Sequence, residues 1–314
     1  MVRIPEETPS RGAAEDEAEL GADADLLGPE MTARLSRLSL LARRLPTSRR
    51  RGRRRTRRLG AGTDAIDKRA YVAGDDVRRI DWSAFARFER LLVRIVADDA
   101  PLRLGLLIDT SGSMAFGSPS KLRQAARVAA GLAAVAVGAE DTVALASLSA
   151  GGLRVGAGSR GLRRVLGTLS QLRATGGTDL AKAARSMRSV IGGRGLCVVL
   201  SDLWDPAGPL EAARTLRLAG HDVVLARVLC PFERHPAGLD GFTLEDHETG
   251  GLLDLPPQGV LEAYAAAFSE YEAALVEGAR ELGVTWLPIG TEEAFDTVIL
   301  RALTSGVLSA RSVA

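Results

Sequence analysis

From Leu102 onward, short apolar runs alternate with longer segments in which apolar residues recur every three or four positions. LRLGLLID (Leu102–Asp109), DTVALASLS (Asp141–Ser149), GLCVVLSD (Gly195–Asp202), HDVVLARVL (His221–Leu229) and VTWLPIG (Val284–Gly290) have the length and character of strands buried on both faces. Between them, Pro119–Val137, residues 159–173 and 179–191, and Pro209–Ala219 read as helices. A longer helix carries Leu261, Tyr264, Phe268, Tyr271, Leu275 and Leu282 on one stripe, and a last one runs from about Thr291 to Leu308. Ser118 is the expected N-cap of the first helix, with Pro119 at its first helical position. GLRVGAG (Gly152–Gly158) has the length of an edge strand, and residues 241–255 read as a β-hairpin turning at ETGG. Apolar strands alternating with helices predict an α/β fold, a mostly parallel central sheet with helices on both faces.

Upstream of Leu102 the pattern is different. Residues 1–30 combine Glu, Asp, Ala, Gly and Pro with few large apolar side chains, which predicts a disordered acidic tail. Residues 31–60 hold a short amphipathic helix, with Leu35, Leu38, Leu41 and Leu45 on one face, followed by the arginine block SRRRGRRRTRR (Ser48–Arg58). Residues 61–100 form a further small module, and 101–314 the main domain.

Composition narrows the class. Aromatics are 4% of the 314 residues against 46% apolar residues, so the core is built from Ala, Val, Leu and Ile. The net charge of +2 hides an acidic N-terminus followed by a basic arm. Lysine occurs only at Lys68, Lys121 and Lys182, so arginine is the general cation and one arginine-rich segment carries less special meaning. Cys197 and Cys230 both sit in apolar runs and read as buried thiols, outside any disulfide framework. No apolar run is long enough to span a membrane and the N-terminus has no signal-peptide core, which predicts a cytoplasmic protein.

The chemistry gathers at strand ends. In open α/β sheets ligands bind beyond the carboxyl edge, where connections diverge. Three segments deliver oxygen ligands there: Asp109, Ser111 and Ser113 after the first strand, Thr178 and Asp179 in GGTD, and Ser201 and Asp202 after GLCVVL. Hydroxyls and carboxylates together suit a hard, six-coordinate ion such as Mg²⁺. Neutral hydroxyl ligands leave such an ion electrophilic and able to recruit a further carboxylate. Asp179 is also placed to cap the helix that follows it.

DTSGSM, followed by GGTD and by SD at a strand end, resembles the metal-ion-dependent adhesion site of von Willebrand factor A domains. The pattern matches at Asp109, Ser111, Ser113, Thr178 and Asp202. The resemblance implies a Rossmann-like domain with sheet order 3-2-1-4-5-6 that binds Mg²⁺, with Mn²⁺ as the alternative ion. It makes Ser113 and Thr178 direct ligands, and Asp109 and Asp202 the charge-balancing shell.

A second resemblance covers Gly62–Arg94. Tyr71, Gly74, Asp75, Asp76, Arg78, Ile80, Asp81, Trp82, Ala86 and Arg87 are similar to the signature of the bacterial "domain of unknown function 58" family. That resemblance implies a non-enzymatic adaptor or co-chaperone of a MoxR-type AAA+ ATPase. Many members carry paired N-terminal membrane helices that this sequence lacks. The closely spaced Asp76, Arg78, Asp81 and Arg87 are the candidate partner-binding residues, with a structural clasp as the competing account of the same charges.

Rival functions leave recognisable gaps. A phosphatase-like hydrolase using Asp109 as nucleophile needs a second carboxylate two residues on, where Ser111 stands. A serine hydrolase needs a base and a nucleophile elbow; His221, His235 and His247 lie far in pattern from the motif loops and read as surface or hairpin residues, and GxSxG is absent. Nucleic-acid binding through Arg49–Arg58 is the alternative of a different class, although no aromatic residues are interleaved for base stacking.

Overall fold

The computed structural model describes residues 28–44, 65–72, 75, 77, 80–96, 102–148, 152–155, 158–205, 208–237, 243–245, 251–254 and 259–304. Residues 1–27 of the expected acidic tail, the arginine block and residues 248–250 of the expected turn at ETGG lie outside the described residues, while Pro29 and Glu30, expected in the tail, already belong to the helix that follows. The chain divides into two units, the larger joining the N-terminal helix to Leu102–Ala310.

The central sheet of the larger unit has six strands: β3 (Arg103–Ile108), β4 (Thr142–Ser147), β5 (Leu153–Val155), β6 (Leu196–Ser201), β7 (Asp222–Leu229) and β10 (Thr285–Gly290). Their order is β10-β7-β6-β3-β4-β5, the order expected, with every pair parallel except the edge pair β4 and β5. Architecture and layering are compatible with a Rossmann-like fold.

Alternation along the strands builds two cores, because successive side chains point to opposite faces. Leu104, Leu106 and Ile108 of β3, Leu196, Val198 and Leu200 of β6, and Val224, Ala226 and Val228 of β7 enter one core. That core is completed by α1 (Pro29–Arg44), α3 (Lys121–Gly138), α4 (Ser159–Leu169) and α9 (Phe295–Thr304). Leu107, Cys197, Val199, Val223 and Leu225 enter the other, packed by α5 (Leu180–Ile191), α6 (Gly208–Leu218) and α8 (Val260–Glu281). Gly105 faces this second core, where an added Cβ would lie 3.0 Å from the Cys197 Sγ and 3.1 Å from Ile191. The backbone of β3 is therefore in close contact with its neighbours there.

Helix α1 belongs to this body. Met31, Leu35 and Leu38 are buried against α3, the Ser39 hydroxyl donates to the Ala134 carbonyl at 2.8 Å, and Arg34 pairs with Asp296 while lying over the Phe295 ring. A helix of this length is marginal alone, and three buried apolar anchors at about 1.5–3 kcal/mol each supply what propensity does not. An added Cβ at Gly138 would lie 3.0 Å from Ser39, so the two helices meet nearly backbone to backbone.

Helix α3 begins at Lys121, two residues after the start expected at Pro119. Ser120, not Ser118, is its cap, accepting from the Arg123 backbone N–H at 3.2 Å. The last helix likewise starts at Phe295 and not at Thr291, because Thr291–Ala294 turn first.

The smaller unit pairs β1 (Ala65–Ala70) with β2 (Leu92–Val96) antiparallel, around α2 (Trp82–Phe88). Asp81 caps α2 by accepting from the Ala84 N–H at 3.1 Å, and Ile80 bridges to Val93. These elements are not evident as strands or helix in the sequence pattern, where the segment reads only as a family signature. A further pair, β8 (Thr243–Glu245) and β9 (Leu252–Asp254), forms the expected hairpin. One-turn helix α7 (Pro231–Arg234) follows β7.

Candidate metal and interaction site

Strand β3 is flanked by β4 on one side and β6 on the other, so the connections leaving β3 and β6 part at the carboxyl edge. In open sheets of this kind, ligands sit at such a parting of connections. Asp109 follows β3 directly and Asp202 follows β6.

The loop after β3 is held from several sides. Asp109 is fully buried; its Oδ1 accepts from the Ser111 N–H at 2.9 Å and its Oδ2 accepts from the Ser201 hydroxyl at 2.5 Å. Residues Gly112–Ala115 form a 3₁₀ turn anchored by the buried Met114. The Gly112 N–H donates to the Gly176 carbonyl at 2.8 Å, and the Thr175 N–H donates to the Thr110 carbonyl at 2.7 Å. These two bonds tie the DTSGSM loop to the GGTD loop. Gly176 has φ +77 with open space around its missing Cβ, so backbone conformation alone explains glycine there.

Within this frame the Ser111 and Ser113 hydroxyl oxygens are 3.2 Å apart. Two oxygens bound side by side on an octahedral ion with bonds of about 2.1 Å are roughly 3 Å apart, so the serine pair fits such an ion. Thr178 is half-buried on the tethered loop, one residue before Asp179. Asp179 is exposed and caps α5 by accepting from the Lys182 N–H at 2.8 Å.

The carboxylates sit in a different chemical situation from the hydroxyls. Burial first, then the charge of Asp202, pushes the Asp109 carboxyl from 3.8 up to about 6, against hydrogen bonds from Ser201 and Ser111. Both Asp109 oxygens are already hydrogen-bonded, which suits balancing charge better than direct ligation. Among the described residues no group of three or more His, Cys, Asp or Glu side chains is placed to hold a metal ion, and the oxygen donors at these loops are hydroxyls beside the two carboxylates. The all-oxygen donor set and the crowding of negative charge both fit Mg²⁺.

Several residues in this region escaped the sequence reading. Lys121, fully buried at the first position of α3, donates to Asp202 Oδ2 at 2.6 Å and to Glu233 Oε1 at 2.6 Å. Burial opposes its charge, but Asp202 and Glu233 outweigh it and hold the ammonium above its usual value. Glu233 also accepts from the Trp204 indole N–H at 3.2 Å and from the Cys230 N–H at 3.0 Å. Arg227, nearly completely buried, donates to the Asp202 carbonyl at 3.2 Å and to Glu272 at 3.2 Å. Its guanidinium lies 4.8, 5.0 and 5.6 Å from the ring centroids of Trp204, Phe268 and Tyr271. The Tyr271 hydroxyl donates to the Leu203 carbonyl at 2.5 Å, and the Tyr264 hydroxyl to the Glu233 carbonyl at 2.5 Å. The aromatic stripe on α8 therefore clamps the segment after β6. A lysine in an arginine-rich chain, and an arginine inside an apolar strand, were the available signals.

The other candidate residues belong to the smaller unit. Asp76 and Arg78 lie outside the described residues. Asp81 is buried as the cap of α2, a local structural role, and Arg87 is exposed near the end of the same helix. His221 corrects the expectation of a surface residue. It is buried, and its Nδ1 accepts from the Gly195 N–H at 3.1 Å, joining the starts of β6 and β7. Both cysteines are free and buried; burial raises Cys197 to about 12 and Cys230 to about 11, so neither is a nucleophile at neutral pH. No described helix is long and apolar enough to cross a membrane.

Residues 67–274, two thirds of the chain, match the family described as "Protein of unknown function DUF58". Uncharacterized proteins of Mycobacterium tuberculosis and Mycobacterium bovis are each 29% identical over 257 residues, 78% of this chain and 80% of theirs. Among solved structures, an aerotolerance-related membrane protein from Bacteroides fragilis aligns over 63% of this chain and 96% of its own, at 20% identity and a TM-score of 0.38. The conserved hypothetical protein BatB from Bacteroides thetaiotaomicron aligns over 66% and 98%, at 13% identity and a TM-score of 0.38.

Proposed function

The chain belongs to the DUF58 family, and we propose that it is a non-enzymatic, metal-dependent protein-interaction module whose larger unit is a von Willebrand factor A-type domain. One observation carries the reading. Two serine hydroxyls are pinned 3.2 Å apart at the parting of β3 and β6, beside buried Asp109, whose charge Asp202 opposes. In this reading Ser111, Ser113 and Thr178 hold Mg²⁺, or Mn²⁺ as the alternative, while Asp109 and Asp202 balance its charge. When bound, the ion offers an electrophilic coordination position to a carboxylate on a partner.

The protein's own residues supply the rest. The Gly112–Gly176 and Thr175–Thr110 bonds keep the two loops at one separation, so ion binding demands little reordering. Arg227 and Tyr271 hold the backbone after β6, which fixes the position of Asp202. Burial and complete hydrogen bonding of Asp109 favour this charge-balancing role over that of a phosphatase-like nucleophile, which must present a free oxygen to its substrate. The partner class follows from the family signature around Trp82. It is a MoxR-type AAA+ ATPase, or a client presented to it, in the cytoplasm.

The test is capture from native bacterial lysate on the immobilised full chain, with Mg²⁺ or with a chelator, read by mass spectrometry. Enrichment of an AAA+ ATPase only in the Mg²⁺ arm supports the proposal. Identical protein recovery in both arms, or salt-sensitive recovery of nucleic acid in place of protein, overturns it.

A further inference from the structure

The Lys121 ammonium is an unusual neighbour for a cation site. It comes from the first position of α3, is itself fully buried, and bridges Asp202 at the end of β6 to Glu233 on α7. Burying an ammonium is costly unless it is paired and hydrogen-bonded. Here two carboxylates meet that need, and Glu233 is in turn fixed by Trp204 and the Cys230 N–H. The ammonium is therefore built into the site's charge balance.

Lys121 and Glu233 neutralise each other, and so do Arg227 and Glu272 behind them. The four carboxylates Asp109, Asp202, Glu233 and Glu272 thus outnumber the two cations, an excess of negative charge at the strand ends, and Asp202 shares its Oδ2 with the lysine. A divalent ion placed among the hydroxyls and Lys121 thus draw on the same carboxylate. We propose that Lys121 is a tethered counter-cation that competes with the divalent ion for Asp202, keeping the metal-free site folded and holding the ion's affinity in a reversible range. The inference rests on the metal-binding reading above and assigns that site its regulation.

Two substitutions of opposite electrostatic sense test it in the full chain, with Mg²⁺ affinity by calorimetry and melting temperature in chelator as readouts. Lys121→Met keeps the length and apolar stem but removes the charge, and is expected to bind Mg²⁺ at least about tenfold more tightly while melting lower without metal. Glu233→Gln removes a negative charge and leaves Lys121 with Asp202 as its remaining anionic partner; it is expected to bind Mg²⁺ several-fold more weakly. Opposite shifts support the proposal. A purely structural lysine lowers the melting temperature in both variants without moving affinity in opposite directions, and that result overturns it. Should Lys121→Met not fold, an unchanged or tighter affinity in Glu233→Gln overturns it alone. If the wild-type chain takes up no Mg²⁺, the metal-binding reading itself falls, a result distinct from wild-type binding with unshifted variants.

Discussion

Asp109→Asn should make the metal-free protein more stable while removing its response to Mg²⁺. Asp109 is wholly buried, and its carboxyl is raised from 3.8 to about 6 by burial and by Asp202. A raised carboxyl means that the folded state holds its proton more tightly than the unfolded chain. Its contribution to stability is therefore fully present below pH 3.8 and is lost as pH rises through about 6. At about 1.4 kcal/mol per pH unit, the ionised group costs about 3 kcal/mol at pH 7.5. An amide avoids that cost, but it must donate to the Ser201 hydroxyl where the carboxylate accepts, so the expected recovery is about 2 kcal/mol. For a unit of this size that is a rise of about 4–8 °C in melting temperature, measured in chelator at pH 7.5 and vanishing near pH 4. Saturating Mg²⁺, at one hundred times its dissociation constant, should stabilise wild type by about 2.7 kcal/mol and the variant by almost nothing. A variant that melts below wild type in chelator at pH 7.5, or that gains as much from Mg²⁺, refutes this reasoning.

Other substitutions separate the site from its scaffold. Arg227→Lys loses the planar stacking on Trp204, Phe268 and Tyr271 and the bond to the Asp202 carbonyl, so it should cost about 2–3 kcal/mol in denaturant melts and weaken Mg²⁺ binding through the displaced β6 end. His221→Ala leaves the buried Gly195 N–H without its partner at the far end of the sheet; it should cost about 1–3 kcal/mol yet leave Mg²⁺ affinity unchanged in calorimetry. Gly138→Leu forces α1 away from α3, and limited proteolysis should then cut within residues 29–44 while the rest of the larger unit resists.

Much of the larger unit was legible because its physics is local. Both faces of β3, β6 and β7 are buried, which writes near-continuous apolar runs into the sequence, and helices between them leave few sheet topologies open. Asp109, Ser111 and Ser113 were legible for a related reason: polar residues immediately after a buried strand stand out. Lys121, Glu233 and Arg227 were hidden because their roles depend on partners 81 or 112 residues away for Lys121 and 45 for the Arg227–Glu272 pair. No local period marks such pairs. His221 was misjudged because a histidine before a strand looks exposed until the neighbouring strand's N–H is placed against it. The first strand of the smaller unit was obscured by charge, as β1 reads AIDKRA with no apolar alternation.

The central claim is the proposal that an ion binds the Ser111 and Ser113 hydroxyls together with Thr178 of the tethered GGTD loop. Anomalous diffraction from crystals of the full chain grown with Mn²⁺ tests it most directly. The account predicts a single strong peak within roughly 2.1 Å of the Ser111, Ser113 and Thr178 hydroxyl oxygens, lost in Ser113→Ala crystals. Density at those loops with no peak at saturating Mn²⁺, or with Lys121 and Asp202 unchanged around a peak elsewhere, would contradict it.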